Sequence, residues 1–145
     1  MNKMDKEGAP SMEAIAAVIR RGDGRFLLVR RAEGISAAGY WTTVTGKPDP
    51  GEALAAALRR EVREEVGLWV RAGEEVYRCP SHDQRWMIVW FETFLDDEAA
   101  AHAPLSLLEE EVAEARWLTA AEAARCEPIF PDTRRFFEGI GGDVA

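Results

Sequence analysis

Apolar residues in the first third of the chain form two short runs that predict β-strands. The runs cover residues 13–20 (EAIAAVIR) and 25–31 (RFLLVRR). Residues 22–24 (GDG) lie between them and are typical of a turn, so we expect the two strands to pair as a hairpin. A loop of small residues at 32–39 and a short extended piece around 41–45 follow.

The next segment changes to a helical period. Four aliphatic residues recur at every fourth position: Leu54, Leu58, Val62 and Val66. This stripe predicts an amphipathic helix that ends at Gly67. Asp49 followed by Glu52 resembles a capping box, so we expect the helix to begin close to Asp49.

The second half of the chain predicts further strands and then helices. A strand is expected within residues 68–79, and residues 85–95 (RWMIVWFETFL) are apolar on both faces, which indicates a central strand. A last short strand covers residues 115–118, a helix capped by Thr119 follows, and residues 131–140 predict the final helix. This order of elements favours an α+β fold, with a mixed β-sheet packed in a sandwich.

Length and composition indicate one globular domain. The chain has 145 residues, of which 47% are hydrophobic and 30% charged. We expect a disordered arm at residues 1–11, one domain at 12–140 and a loose tail at 141–145. The first residues lack the apolar stretch of a signal peptide, and no apolar run approaches the roughly 20 residues of a membrane helix. A cytoplasmic protein without a membrane partner is therefore expected.

Charge and the few cysteines and histidines exclude several function classes. A net charge of −8 argues against binding of polymeric nucleic acid, although a divalent cation could still bridge the protein to a small phosphate compound. Cys79 and Cys126 form no disulfide framework, and with His82 and His102 they show no zinc spacing.

Three glutamates crowd the predicted helix at one place. Glu61, Glu64 and Glu65 point within roughly 100° of one another, and like charges at this spacing cost about 0.2–0.5 kcal/mol per pair. Arg60 could offset part of this repulsion by pairing with Glu52 or Glu64, and a hard divalent cation would offset more. Taken alone, the cluster could also be an ordinary solvated acidic face.

The spacing of these residues favours the cation site. Gly46, five residues, Glu52, seven residues and the run at 60–68 (REVREEVGL) match every specified position of the Nudix box, G-x5-E-x7-R-E-U-x-E-E-x-G-U with U aliphatic. The chain therefore resembles the Nudix (MutT-like) hydrolases. The motif covers 23 residues, and the flanking elements resemble the family's α/β/α sandwich, with its mixed β-sheet and loop–helix–loop catalytic motif.

The resemblance implies hydrolysis of a nucleoside diphosphate linked to another group, with Mg²⁺ or Mn²⁺ as cofactor. It assigns metal binding to four residues: Glu61, Glu64, Glu65 and, through its backbone carbonyl, Thr45. The catalytic residues that it implies are Glu64, Glu61, Arg60 and Glu52. Among them, Arg60 and Glu52 are expected to orient the ligands, and Glu64 is the leading general base. Many members carry Gly-Gly where this chain has Thr45 and Gly46, a difference that a carbonyl ligand tolerates.

Some members of the family place the base, or an extra ligand, on a loop beyond the motif. Four glutamates lie at such a position: Glu109, Glu110, Glu111 and Glu114. The sequence does not choose among them, and an exposed acidic loop is the alternative interpretation.

The substrate is less defined than the chemistry. A small nucleotide is expected, either a nucleoside triphosphate or a nucleotide sugar. Candidates for stacking on its base are Tyr40, Trp41, Trp86, Trp90 and Phe91, although strand aromatics usually belong to the core. Candidates for phosphate contact are Arg30, Arg31 and Arg85. Tyr77 and Pro80 match the markers of known subfamilies only approximately.

Two other functions are compatible with a Nudix-like chain. A non-catalytic nucleotide-binding regulatory module commonly loses carboxylates of the motif, and all of them are present here. Isomerisation of an isoprenoid diphosphate would need a reactive cysteine, for which neither Cys79 nor Cys126 stands out. Homodimers occur in the family, and the sequence leaves open the oligomeric state and the attacked phosphorus.

Overall fold

The computed structural model describes residues 10–143. Within them, the strands are β1 (Glu13–Ile19), β2 (Phe26–Arg31), β3 (Trp41–Thr42), β4 (Val44–Gly46), β5 (Val70–Pro80), β6 (Met87–Leu95) and β7 (Val112–Leu118). The helices are α1 (Leu54–Val66), α2 (Ala120–Ala124) and α3 (Pro131–Asp143), with a 3-10 turn at Glu98–His102. None of these helices is long and apolar enough to cross a membrane.

The strands form two sheets. The first is mixed, in the order β4-β1-β6-β5, with β1 and β6 parallel and the other pairs antiparallel. The second is antiparallel, in the order β3-β2-β7. β6 lies between two neighbours, as its apolar residues on both faces predict.

The predicted hairpin of the first two strands is wrong. β1 and β2 belong to different sheets, and a single isolated bridge between Arg20 and Phe26 joins them. β6 pairs along the whole of one edge of β1, and β4 pairs with residues 15–17 on the other edge, so neither edge is left for a regular ladder with β2.

The strands pack between helices on both sides, which confirms the predicted sandwich. Alternate residues of β1 face opposite cores: Ile15 packs with Leu58 and Val62 of α1, whereas Ala16 packs with Phe137 of α3. Burial on both faces explains why β1 is almost continuously apolar.

Helix α1 has the predicted stripe and end but starts later than expected. Gly67 adopts φ +77°, and its N–H donates to the carbonyl of Arg63. A glycine in the left-handed conformation therefore ends the helix. At the other end, the side chain of Glu52 accepts the N–H of Asp49 at 2.9 Å, but it closes a turn through Gly51 at φ +78°. The helix therefore begins at Leu54, after this turn.

The ends of the domain differ slightly from the expectation. Helix α3 continues to Asp143, three residues beyond its predicted end at 140, so the predicted tail does not begin at 141. Of the predicted arm, Pro10 is buried and residues 1–9 lie outside the described residues, as do 144–145.

Candidate active site

Three carboxylates converge at the end of α1. Glu61 and Glu65 of α1 and Glu111, just before β7, each offer one oxygen, and these oxygens lie within 4.8 Å of one another. Glu65 is buried, the side chain of Glu61 is 16% exposed, and Glu111 is exposed. The group is therefore anchored inside the protein and accessible from one side.

Backbone hydrogen bonds hold the loop of Glu111 against the helix. The N–H of Leu108 donates to the carbonyl of Glu65 at 2.9 Å, and the N–H of Ala32 donates to the carbonyl of Glu111 at 3.0 Å. These bonds fix the loop between the last turn of α1 and the end of β2. Of the four loop glutamates that the sequence offered, Glu111 is the one that joins the box carboxylates.

The crowding changes the proton affinity of the carboxylates. Burial, followed by the hydrogen bond and charge of Glu61, raises the pKa of Glu65 well above its usual range. Burial and the charges of Glu61 and Glu64 also raise the pKa of Glu111, and Arg31 offsets part of both shifts. Carboxylate oxygens at this density, with repulsion left over, suit a divalent cation.

Glu64 lies outside this group of three. Its side chain is 46% exposed, and its Oε1 accepts a hydrogen bond from Nη1 of Arg60 at 3.1 Å. The structure thus separates Glu64 from Glu61 and Glu65, with which the motif groups it.

Arg60 connects the carboxylates of the motif. Its Nε and Nη2 donate to the two oxygens of Glu52 at 3.0 and 2.8 Å, and Nη1 donates to Glu61 at 2.8 Å. The hydrogen bonds from Arg60 lower the pKa of Glu52 to about 2, and Glu52 in turn raises the pKa of the guanidinium. Nη2 also donates to the carbonyl of Lys47 at 3.1 Å, which ties the helix to the preceding loop.

The backbone before the motif closes the other side of the cluster. Gly46 and Thr45 belong to β4, which pairs with β1 through Gly46 opposite Ile15. Both residues line the cavity of about 290 Å³ that also contains Glu61 and Glu65. Thr43 lines the same cavity, and its buried hydroxyl has no hydrogen-bond partner among the described residues.

A larger cavity of about 450 Å³ adjoins the first. The two share Arg31, Thr42, Thr45, Gly46 and Lys47 in their walls. Trp86, Phe130, Trp90 and Asp132 line the remainder of the larger cavity. A ligand can therefore extend from the carboxylates into an aromatic-lined space.

The sequence candidates for substrate contact separate into two groups. Trp86, Trp90 and Arg31 line the larger cavity. The others lie elsewhere: Trp41 and Phe91 pack in the cores, Tyr40 packs on Phe130, Arg30 pairs with Glu114, and Arg85 is exposed.

The structure also places residues in the cavity that the sequence did not suggest for this role. Lys47 lies within the motif, at one of its unspecified positions, whereas Asp132 is distant in sequence and only the fold brings it beside the motif. Cys79 also lines this cavity, and burial raises the pKa of its thiol to about 11, which disfavours a reactive thiolate.

Comparison with known proteins identifies related sequences and folds. A family model described as the NUDIX domain matches residues 10–139. The chain is 43% identical over 65 residues to the CTP pyrophosphohydrolase of Escherichia coli, a match that covers 45% of this chain and 47% of that protein. It is 32% identical over 143 residues to the NAD-capped RNA hydrolase NudC of Deinococcus radiodurans, covering 91% and 48%. The chain thus spans about half the length of these two relatives.

A solved structure extends the likeness over nearly the whole chain. The crystal structure of a MutT protein from Methanosarcina mazei superposes with a TM-score of 0.74 at 26% identity. The match covers 91% of this chain and 94% of that one, so the elements around the carboxylate cluster share a common arrangement.

Proposed function

Because this chain belongs to the Nudix family, we propose that it is a metal-dependent hydrolase of a pyrophosphate linkage in a nucleotide. The observation that carries the proposal is the convergence of Glu61, Glu65 and Glu111 beside a cavity large enough for a nucleotide portion. The names of two relatives, a CTP pyrophosphohydrolase and an NAD-capped RNA hydrolase, favour a nucleoside triphosphate or another nucleoside diphosphate derivative as substrate.

The proposed ligands of the cation are Glu61, Glu65, Glu111 and the backbone carbonyl of Thr45. All are oxygen donors, and the three carboxylates repel one another, which fits Mg²⁺ or Mn²⁺. When bound, such a cation neutralises phosphate charge and activates water for attack on phosphorus.

The remaining residues of the motif position these ligands and move a proton. Arg60 holds Glu61 in place while Glu52 fixes Arg60 through two hydrogen bonds. Glu64 is the proposed general base. Its Oε1 is held by Arg60, which leaves Oε2 to take a proton from the attacking water at the exposed edge of the site.

A nucleotide panel tests the proposal. The purified chain would be incubated with nucleoside triphosphates, nucleotide sugars and NAD, each with Mg²⁺, Mn²⁺ or EDTA, and the products identified. We expect cation-dependent release of a nucleoside monophosphate, with ¹⁸O-water locating the attacked phosphorus. Cation binding without turnover on any substrate would instead support a regulatory module.

A further inference from the structure

The loop between α2 and α3 supplies part of one wall of the larger cavity. This loop covers residues 125–130 and ends in Phe130, which lines the cavity. Under the proposed function, a nucleotide with its diphosphate at the carboxylates has this cavity beside it. The position of Phe130 then affects how tightly the nucleotide binds.

Phe130 also connects two other segments at the rim of the cavity. Its ring centroid lies 4.9 Å from that of Tyr40, just before β3, and 5.2 Å from that of His82, in the turn between β5 and β6. One side chain thus joins three loops. A displacement of the 125–130 loop would therefore change the shape of the cavity as well as the place of one ring.

The backbone of the 125–130 loop makes only a short contact with the sheet. The N–H of Trp41 donates to the carbonyl of Pro128 at 2.9 Å, and Ile129 forms an isolated bridge with the same residue. One bridge holds a segment less firmly than the repeated bonds of a ladder. The side chains around the loop therefore matter for its position.

The side chain of Arg134, in the first turn of α3, binds the loop. Its Nε donates to the carbonyl of Ala124 at 3.0 Å. Its Nη2 donates to the carbonyl of Cys126 at 3.0 Å and to Oε1 of Glu127 at 2.9 Å. The backbone N–H of Arg134 donates to the carbonyl of Phe130 at 3.1 Å. One residue is thus bonded to both ends of the loop.

The two bonds to backbone carbonyls are the important ones. A hydrogen bond from a charged donor is stronger than one between neutral groups. The carboxylate of Glu127 is 77% exposed, so its ion pair with Arg134 should contribute little. Arg134 itself lies outside the walls of both cavities, so it acts on them through the loop.

We propose that Arg134 is a positioning residue, which holds the 125–130 loop and thereby sets how tightly the nucleotide of the proposed function binds. It places Phe130 through the backbone of the loop and makes no bond to the carboxylates of the motif. Loss of its guanidinium should weaken nucleotide binding and leave the chemical step and cation binding as they are.

Arg134→Gln tests this role by separating KM from kcat. The full chain would be assayed with the nucleotide that the panel shows to be hydrolysed fastest. We expect KM to rise about 10-fold, in the range of one stacking contact with an aromatic ring. At saturating nucleotide, kcat and the Mn²⁺ concentration for half-maximal activity should remain unchanged. Arg134→Lys should raise KM less, because an ammonium group can still bond one of the carbonyls.

Two other arginines provide matched controls. Arg125→Gln removes the same charge from the same loop, and among residues 10–143 the exposed side chain of Arg125 makes no hydrogen bond. Arg78→Gln removes three side-chain hydrogen bonds, to Glu75 and Glu13, on β5. It controls for the loss of an arginine that makes as many bonds as Arg134. Both variants should keep the KM of the unmodified chain.

The outcomes distinguish this inference from the proposed function. An unchanged KM in Arg134→Gln, or an equal rise in either control, overturns the positioning role and leaves the hydrolase intact. A parallel loss of kcat and of Mn²⁺ affinity also overturns it, because that result indicates a general distortion of the site.

If no nucleotide is hydrolysed, the proposed function is wrong, and calorimetry with CMP then decides the role of Arg134. Binding that is about 10-fold weaker in Arg134→Gln than in the unmodified chain would support it. Equal Kd values, or no binding to either protein, would overturn it.

Discussion

Gly46 leaves the space that the carboxylate of Glu61 occupies. A Cβ atom on residue 46 would lie 2.6 Å from Oε2 of Glu61, closer than real Cβ atoms approach. The backbone has little room to withdraw, because Gly46 is paired with Ile15 in the mixed sheet. The first residue of the motif thus sets the position of one of its carboxylates.

Gly46→Ala should therefore displace Glu61 without unfolding the protein. Misplacing a catalytic group by about 1 Å can lower turnover 100-fold, so we expect kcat/KM to decrease by at least about 10-fold. The Mg²⁺ concentration for half-maximal activity should rise as well. Both are measured by titrating Mg²⁺ in the nucleotide assay.

Gly34→Ala is the matched control for this variant. Among residues 10–143, a Cβ built on Gly34 meets no atom within 4 Å beyond Gly34 itself and its two chain neighbours, so the added methyl group meets open space. Its activity and midpoint of Mg²⁺ activation should equal those of the unmodified chain. Similar losses in both variants would contradict the steric role of Gly46.

Arg60→Lys should keep the positive charge but lose the simultaneous hydrogen bonds of the guanidinium to Glu52 and Glu61. Lysine cannot bind both oxygens of Glu52 and reach Glu61 at the same time, so the ligand carboxylate would lose its orientation. We expect kcat to fall about 10-fold to 100-fold. Tm should decrease only modestly, because lysine keeps a positive charge beside these half-buried carboxylates.

Arg59→Lys tests whether the helix tolerates such a change in general. Nε of Arg59 donates to the carbonyl of Val70, away from the carboxylates. Its kcat should remain unchanged, and full activity of Arg60→Lys would refute a positioning role for that arginine.

Local sequence patterns predicted helix α1 and the central strand β6 correctly, because interactions between residues close in the sequence determine both elements. The stripe that includes Leu58 and Val62 needs only a period of four, and Gly67 ends the helix through its own backbone conformation. The predicted hairpin was wrong because segments that are distant in the sequence compete to pair with each strand. The predicted start of α1 was wrong because the hydrogen bond from Asp49 to Glu52 can close a turn at Gly51 as readily as it can cap a helix.

The residues of the candidate site fall into the same two groups, those found from local sequence patterns and those brought together only by the fold. The motif fixed the roles proposed for Glu61 and Glu65, since their spacing alone places them on one face of the helix. Glu111 could not be chosen from its neighbours, because a hydrogen bond between Leu108 and Glu65 brings it to the helix. The sequence did not indicate Asp132, because no local sequence pattern links it to the other residues that line the cavity.

Glu111→Gln should weaken cation binding and lower turnover. The change removes one of the three converging charges, so we expect kcat/KM to fall at least about 10-fold at limiting Mg²⁺ and to recover partly at high Mg²⁺. Glu110→Gln removes a charge from the neighbouring residue, which is exposed and outside the group. Equal effects of the two variants would show that only the general charge of the loop matters.

Cation binding should also stabilise the folded chain. At a cation concentration of 100 Kd the expected gain is about 2.7 kcal/mol, which for a domain of this size raises Tm by about 5–10 °C. Glu65→Gln should lose most of this gain, yet melt without cation at or above the unmodified chain, because it removes a buried carboxylate from a repelling group. A full Tm increase in Glu65→Gln would exclude it as a ligand.

Glu64→Gln should separate proton transfer from cation binding. Glu64 lies outside the three converging carboxylates, so the variant should keep most of the cation-dependent increase in Tm. If Glu64 takes the proton of the attacking water, kcat should fall at least about 100-fold. Calorimetric melting with and without Mn²⁺, together with kcat at saturating Mn²⁺, gives both values. Loss of the Tm increase would show that Glu64 is a ligand of the cation. Full turnover would show that another residue acts as the base, and Glu111 is the next candidate.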